Sequence, residues 1–153
     1  MALKPGVKAP DFAATADDGS TVRLADFRGR KLVLYFYPMD DTPGCTAQAC
    51  SLRDANDEIV ERGAAILGVS AQDQDSHRRF SAKYRLNFPL LCDTGRSIAK
   101  AYDAAGRGLG GWLLGLFGLS RRISYLIDED GRIARVIESP DCSVHGKQVL
   151  ELL

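Results

Sequence analysis

Two runs of β-forming apolar residues, Leu32 to Tyr37 and Ala64 to Val69, enclose a stretch with helical spacing, and this constrains the fold more than any other feature. Pro38 stops the first run, which reads as a central strand. Leu52, Ala55, Ile59 and Val60 place apolar groups at helical intervals within Ala47 to Arg62, and Gly63 ends that pattern. A strand, a crossover helix and a second strand make a βαβ unit with parallel strands.

The rest of the chain extends this unit. Thr21 to Leu24, after the turn signal Asp18-Gly19, reads as a short strand. Asp73 to Tyr84 reads as helix, Phe88 to Leu91 as strand and Ser97 to Tyr102 as a short helix. Ile123 to Ile127 and Ile133 to Ile137 flank Glu129-Asp130-Gly131, a hairpin signal, and a closing helix starts near His145. This order predicts an α/β chain with a thioredoxin-like fold, a central mixed sheet flanked by helices. With 153 residues and 45% hydrophobic content, residues 1–153 are expected to form one domain.

Charge narrows the partners. Twenty Lys plus Arg balance twenty Asp plus Glu, so no basic excess drives nucleic-acid binding. The start Met1-Ala-Leu-Lys-Pro5 lacks a basic then apolar leader, and no run is long enough for a membrane span, so a cytoplasmic location is expected. In a reducing compartment, four cysteines are thiols with chemistry, metal ligands or core residues rather than a permanent disulfide framework.

Chemistry concentrates where the first strand meets the long helix, in Pro38-Met-Asp-Asp-Thr42-Pro43-Gly44-Cys45-Thr46-Ala-Gln48-Ala-Cys50. Pro43 and Gly44 force a turn, so Cys45 lies in or beside the first helical turn, where unpaired N–H groups and the positive dipole end favour a thiolate. A buried structural cysteine is the other reading of this position. Ionisation alone has limited reach. An ordinary cysteine is roughly 3% thiolate at pH 7, so full ionisation gains only about 30-fold. Faster attack on a peroxide needs donors aimed at its oxygens. Thr42 can supply one, or its hydroxyl can accept from a backbone N–H as a helix cap.

Pro38-x-x-x-Thr42-x-x-Cys45, within Tyr35 to Cys50, resembles the active-site pattern of the peroxiredoxins, in particular the Q-type or bacterioferritin-comigratory-protein subfamily. The similarity continues through Ala9-Pro-Asp-Phe12, Asp26-Phe-Arg-Gly29, Phe88-Pro-Leu-Leu91 and Arg122-Ile-Ser-Tyr-Leu-Ile-Asp128. It implies a thiol peroxidase that reduces hydrogen peroxide and organic hydroperoxides and is recycled by thioredoxin or a similar dithiol reductant. It assigns Cys45 as the peroxidatic nucleophile, Thr42 as a donor to peroxide and Pro38 as a shield over the thiolate. Arg122 is assigned to stabilise thiolate and developing charge, because it stands two residues before the Ser that opens an apolar strand, whereas Arg121 is out of phase. Without the resemblance, either arginine reads as a solvated strand-end residue. No cofactor and no metal is expected.

Cys50 is assigned as the resolving thiol, with mechanical consequences. Five residues of ideal helix separate Cα atoms by about 8.7 Å, against roughly 4.4–6.8 Å in a disulfide. A Cys45–Cys50 bridge therefore requires the start of this helix to unwind after oxidation. A core-facing Cys50 is the alternative. Cys92 reads as buried, and Cys142 with His145 forms Cys-x-x-His without a nearby second pair. A zinc site shared by Cys45, Cys50, Cys142 and His145 would make the chain a metal or redox-sensing module instead. A thiol-disulfide oxidoreductase on the same fold is disfavoured by the absence of Cys-x-x-Cys at Cys45.

Two departures from the family pattern stand out. Leu109 to Leu119 is a Gly-rich apolar run, read either as a segment folded onto the core or as an exposed patch that docks a partner, makes a weak homodimer of an otherwise monomeric chain or binds an apolar peroxide. Gln48 stands where many relatives carry Glu, which removes a charge near the site. Cys45→Ser is expected to abolish peroxide turnover while leaving the circular dichroism spectrum unchanged; retained turnover would contradict the assignment of the nucleophile.

Overall fold

The computed structural model describes residues 2–105 and 120–153. The Leu109–Leu119 run, expected either to fold onto the core or to dock a partner, lies outside the described residues. Strand β3 (Lys31–Phe36), helix α1 (Pro43–Glu61) and strand β4 (Ala64–Ser70) form the expected βαβ unit, and β3 pairs parallel with β4 from Lys31↔Ala64 to Phe36↔Val69. Strand β5 (Leu90–Cys92) adds parallel to β4 after helix α2 (Gln74–Tyr84). On the other side, β6 (Ile123–Ile127) runs antiparallel to β3, and β7 (Ile133–Ile137) antiparallel to β6. The sheet order is β5-β4-β3-β6-β7, a mixed five-stranded thioredoxin-like sheet. Two short helices, α3 (Ser97–Ala101) and α4 (His145–Leu152), complete the described helices.

Strand β3 is central because both of its faces are apolar. Leu32, Leu34 and Phe36 join one core with Phe12, Ile98, Tyr102 and Tyr125. Val33, Tyr35 and Tyr37 face the opposite way, into a core shared with Leu52 and Ile59 of α1, Phe80 of α2 and Val149 of α4. Burying each of these large side chains contributes about 1.5–3 kcal/mol. In α1 the buried stripe is Cys45, Gln48, Ala49, Leu52, Asn56 and Ile59. Val60, counted with the apolar stripe in the sequence, is 54% exposed because it falls one residue past the inward position held by Ile59. The helical phase thus turns Cys45 inward and leaves Cys50 off the stripe.

Several boundaries follow from local chemistry. Asp73 caps α2 by accepting from the Ser76 N–H at 2.9 Å. Gly63, at φ 80°, ends α1 in the left-handed region that a C-terminal glycine adopts without strain. The β6–β7 turn is fastened by Asp128, whose carboxylate accepts from the N–H groups of Asp130 and Arg132, both at 3.0 Å. The sequence shows no period for β1 (Ala13–Thr15), whose pairing with β2 (Thr21–Arg23) forms a small hairpin outside the main sheet, nor for the 3-10 turn Leu24–Phe27. Each is too short for periodicity to register. Among the described residues, no helix is long and apolar enough to cross a membrane.

Helix α4 packs on α1 through Gly146. Its N–H donates to Ser51 Oγ at 2.9 Å, and a Cβ there would meet the Ser51 carbonyl oxygen and come within 2.8 Å of Ala55 Cβ. Gly146→Ala is therefore expected to lower unfolding free energy by about 1–3 kcal/mol. Urea denaturation measures this, and an unchanged midpoint would show that the two helices separate without cost.

Candidate active site

The end of β3 and the start of α1 build the site. Thr42 is the N-cap of α1, Pro43 occupies the first helical position without needing an N–H partner, and the first intrahelical bond runs from Thr46 N to Thr42 O at 2.8 Å. Cys45 therefore lies in the first turn, where backbone N–H groups have no carbonyl one turn earlier to bond. Only 1% of its surface is exposed.

Arg122 reaches it from the neighbouring strand. β3 and β6 pair up to Phe36↔Ile123, so the residue just before Ile123 flanks the end of β3, beside the start of α1. Its Nη2 donates to Cys45 Sγ at 3.3 Å and its Nη1 to Gln48 Oε1 at 2.6 Å. Gln48 is fully buried one turn after Cys45, so its carbonyl oxygen fixes the roll of the guanidinium plane. An amide acceptor does this without adding a second negative charge beside the sulfur. Gly44 leaves the guanidinium its room, since a Cβ there would lie 3.3 Å from Arg122 Nη2. Arg121 goes elsewhere: its backbone N–H bonds Ala104 O at 2.7 Å, and its side chain lines a cavity with Ala2, Pro5 and Glu138. A permanently charged fork 3.3 Å from sulfur can face negative charge on that sulfur and, when sulfur attacks one oxygen of a peroxide, charge developing on the oxygen that departs.

Other expected residues are placed as follows. The Thr42 hydroxyl does not cap the helix; it donates to the Met39 carbonyl at 3.1 Å, so donating to an oxidant requires it to exchange that partner. Pro38 is half-buried, and its carbonyl accepts from Gln72 Nε2 at 3.4 Å. Cys50 is half-buried in the same unbroken helix as Cys45, and all four cysteines are free thiols. Cys92, expected to be buried, is half-buried at the end of β5, an edge strand of the sheet. Burial and then the charges of Asp17 and Asp40 push its thiol up to about 11, which leaves it unreactive near neutrality.

Cys142 and His145 take separate neighbours. Gln148 Oε1 accepts from Asp141 N at 3.0 Å and lies 3.0 Å from His145 Nδ1, so Nδ1 carries the ring hydrogen. His145 Nε2 then accepts from Ser124 Oγ at 2.8 Å, and burial holds the ring below the usual histidine range. Both nitrogens are committed, and among the described residues no group of three or more His, Cys, Asp or Glu could hold a metal ion. Cys142 Sγ instead lies 3.7 Å from the position a Gly44 Cβ would take. Spacing gave no hint of this closeness, because it arises from the packing of α4 on α1.

A buried cysteine sulfur at a helix start, contacted by a half-buried arginine, is an arrangement suited to a thiol-based redox enzyme. The profile of the AhpC/TSA family matches residues 5–136, and the chain belongs to that family. It is 37% identical to peroxiredoxin Bcp of Bacillus subtilis, covering 100% of this chain and 96% of the relative. It is 40% identical to peroxiredoxin Bcp of Escherichia coli K12, covering 99% and 96%. Among solved structures, peroxidoxin BcpB of Mycobacterium tuberculosis superimposes with a TM-score of 0.85 at 30% identity, over 98% of this chain and 96% of that one. The bacterioferritin comigratory protein of Xanthomonas campestris, described for its alkyl peroxide reduction activity, gives 0.85 at 28%, over 97% and 96%. Thiol-dependent reduction of peroxide is thus the activity of this fold and family.

Arg122→Ala is expected to slow peroxide attack by more than the roughly 30-fold that thiolate ionisation can explain, because a donor to the departing oxygen is lost as well. Stopped-flow rates at a pH above the thiol range separate the two effects. Greater damage from Arg121→Ala would contradict the observed choice of arginine.

Proposed function

We propose that the chain reduces hydrogen peroxide and organic hydroperoxides by a cycle in which Cys45 is oxidised to a sulfenic acid and Cys50 resolves it. The 3.3 Å contact of Arg122 Nη2 with Cys45 Sγ carries this reading. The Cys45 thiolate attacks one peroxide oxygen, the O–O bond breaks, and the alkoxide or hydroxide leaves with the bonding pair and takes a proton. Arg122 faces charge on sulfur before the step and on oxygen during it. Thr42 turns its hydroxyl from Met39 O to the oxidant, and Pro38 shields the sulfur from water.

Resolution follows by condensation: Cys45–SOH and Cys50–SH give the disulfide and water. A single helix carrying both residues supports a required unwinding, since ideal helical geometry keeps their Cα atoms about 8.7 Å apart. A thioredoxin-type dithiol then attacks the bridge, leaves as its own disulfide and restores both thiols. One domain spanning residues 1–153 carries out the cycle as a monomer or weak homodimer. Four free thiols suit a reducing compartment such as the cytoplasm.

Cys50→Ser should leave the first attack on peroxide within about twofold of wild type, because Cys50 supplies neither charge nor donor to the oxidant. It should stop recycling by a dithiol protein and let sulfinic and sulfonic forms accumulate on Cys45, read by mass spectrometry. Wild type given one equivalent of peroxide should lose two hydrogens, with the bridge mapping to Cys45 and Cys50. A bridge from Cys45 to Cys142 or Cys92, or unimpaired recycling of the variant, would refute the resolving role.

A further inference from the structure

Between Pro38 and Thr42 the chain makes a tight turn whose shape does not come from its own backbone alone. Asp40, 9% exposed, points into the protein, and its carboxylate collects three side chains. The Tyr37 hydroxyl donates to Oδ1 at 2.6 Å, the Ser76 hydroxyl donates to Oδ2 at 2.8 Å, and His77 Nδ1 lies 2.6 Å from Oδ2. The backbone N–H of Asp40 donates to Gln72 Oε1 at 3.1 Å. Tyr37 ends the approach from β3, whereas Ser76 and His77 belong to α2, so Asp40 ties the turn to a second element.

His77 is completely buried, and its Nε2 lies 2.9 Å from the Leu91 carbonyl oxygen. A carbonyl only accepts, so Nε2 carries a hydrogen. The short contact between Nδ1 and Oδ2 then needs one proton between them, whichever atom holds it. This is a directional, charge-assisted bond in a dry setting, where such bonds are strongest and a lost partner costs most. The next residue, Asp41, also reaches α2, bonding Lys83 Nζ at 2.8 Å and the Tyr84 hydroxyl at 2.7 Å, but these groups are exposed and hold the turn weakly. A buried carboxylate and imidazole contribute no stability that packed apolar residues could not match. What they supply that apolar groups do not is a fixed position for Asp40.

We propose that Asp40 and His77 are positioning residues for peroxide reduction, holding the Pro38–Thr42 turn so that its groups meet the oxidant while α1 and Arg122 separately hold the sulfur. This rests on the reading of Thr42 and Pro38 as the groups on the oxidant side. Cys45 takes its place from the α1 stripe and from the guanidinium, whereas the hydrogen bonds that hold Asp40 come from Tyr37, Gln72, Ser76 and His77, none of them in α1. Loosening the turn therefore lowers the rate with peroxide and spares the reactivity of the sulfur itself.

The test compares two reactions at Cys45 in the full reduced chain: oxidation by hydrogen peroxide and alkylation by iodoacetamide, each followed on the Cys45 peptide by quenched mass spectrometry. His77→Gln is expected to slow peroxide oxidation at least about 10-fold, since misplacement of a reacting group by about 1 Å costs on the order of 100-fold. Alkylation, which needs no donor to a leaving oxygen, should hold within about twofold or rise. Asp40→Asn, which can still accept from Tyr37 and donate to His77 Nδ1, should recover most of the rate lost in Asp40→Ala. Peroxide rates unchanged in the folded His77→Gln protein, or both reactions slowed by the same factor, would overturn the proposal. If His77→Gln fails to fold, Ser76→Ala makes the same comparison without removing a buried ring, and equal effects on the two reactions there would overturn it too. Thr42→Val run in parallel separates the two ideas: no loss of peroxide rate in that variant removes the reading of Thr42, whereas loss there with none in His77→Gln removes only the positioning role.

Discussion

A positively charged fork held against one sulfur atom organises this protein. Arg122 Nη2 sits 3.3 Å from Cys45 Sγ, and three separate parts of the fold make that distance. The antiparallel register of β3 and β6 brings the residue before Ile123 to the end of β3. The phase of α1 turns Cys45 and Gln48 inward on one stripe, so that the amide of Gln48 grips one end of the guanidinium while the sulfur takes the other. Gly44, lacking a Cβ, keeps the intervening space open. Shifting β6 by one residue would bring Arg121 to the site in place of Arg122 and turn every β6 side chain to the wrong face.

On the proposed cycle, the helix that carries Cys45 also delays its regeneration. Its first turn supplies unpaired N–H groups and buries the sulfur, and its regular rise holds Cys50 out of reach. That cycle calls for two arrangements of the same residues, one wound for attack and one locally unwound for resolution. The stretch before Thr42 is fastened to α2 through Asp40, while the first turns after it are held by helical hydrogen bonds, by Arg122 and by the packing of Cys45 and Ala49 in the core. The proposed resolution step asks the beginning of α1 to give up that packing while the turn before it stays tied to α2.

Much of this was legible in the sequence. The βαβ unit was visible because β3 and β4 are apolar on both faces and the intervening helix has a clear period. The hairpin of β6 and β7 was visible because Asp130-Gly131 stands between two β-branched runs. Cys45, Thr42, Pro38 and Arg122 stood out through a family pattern, and the structure brings Arg122 to Cys45 while turning the Thr42 hydroxyl to Met39. What was not legible depends on contacts distant in sequence. Gln48 registered only as a missing charge, because its bond to Arg122 spans elements far apart in the chain. Asp40 and His77 belong to different elements, and no periodicity relates them. The closeness of Cys142 to Gly44 follows from α4 seating its glycine on α1, a steric fit that spacing does not encode.

The second-order rate constant of the reduced wild-type protein with hydrogen peroxide, set against that of a small free thiol at pH 7, tests most directly whether Arg122 and its neighbours act on the oxidant as well as on the sulfur. Ionisation of the thiol accounts for at most about 30-fold. An advantage several orders of magnitude beyond that factor is the expected result, since preorganised donors act on the breaking O–O bond. An advantage of about 30-fold or less would mean that the site merely supplies a thiolate, and would contradict a peroxide-activating role for this geometry.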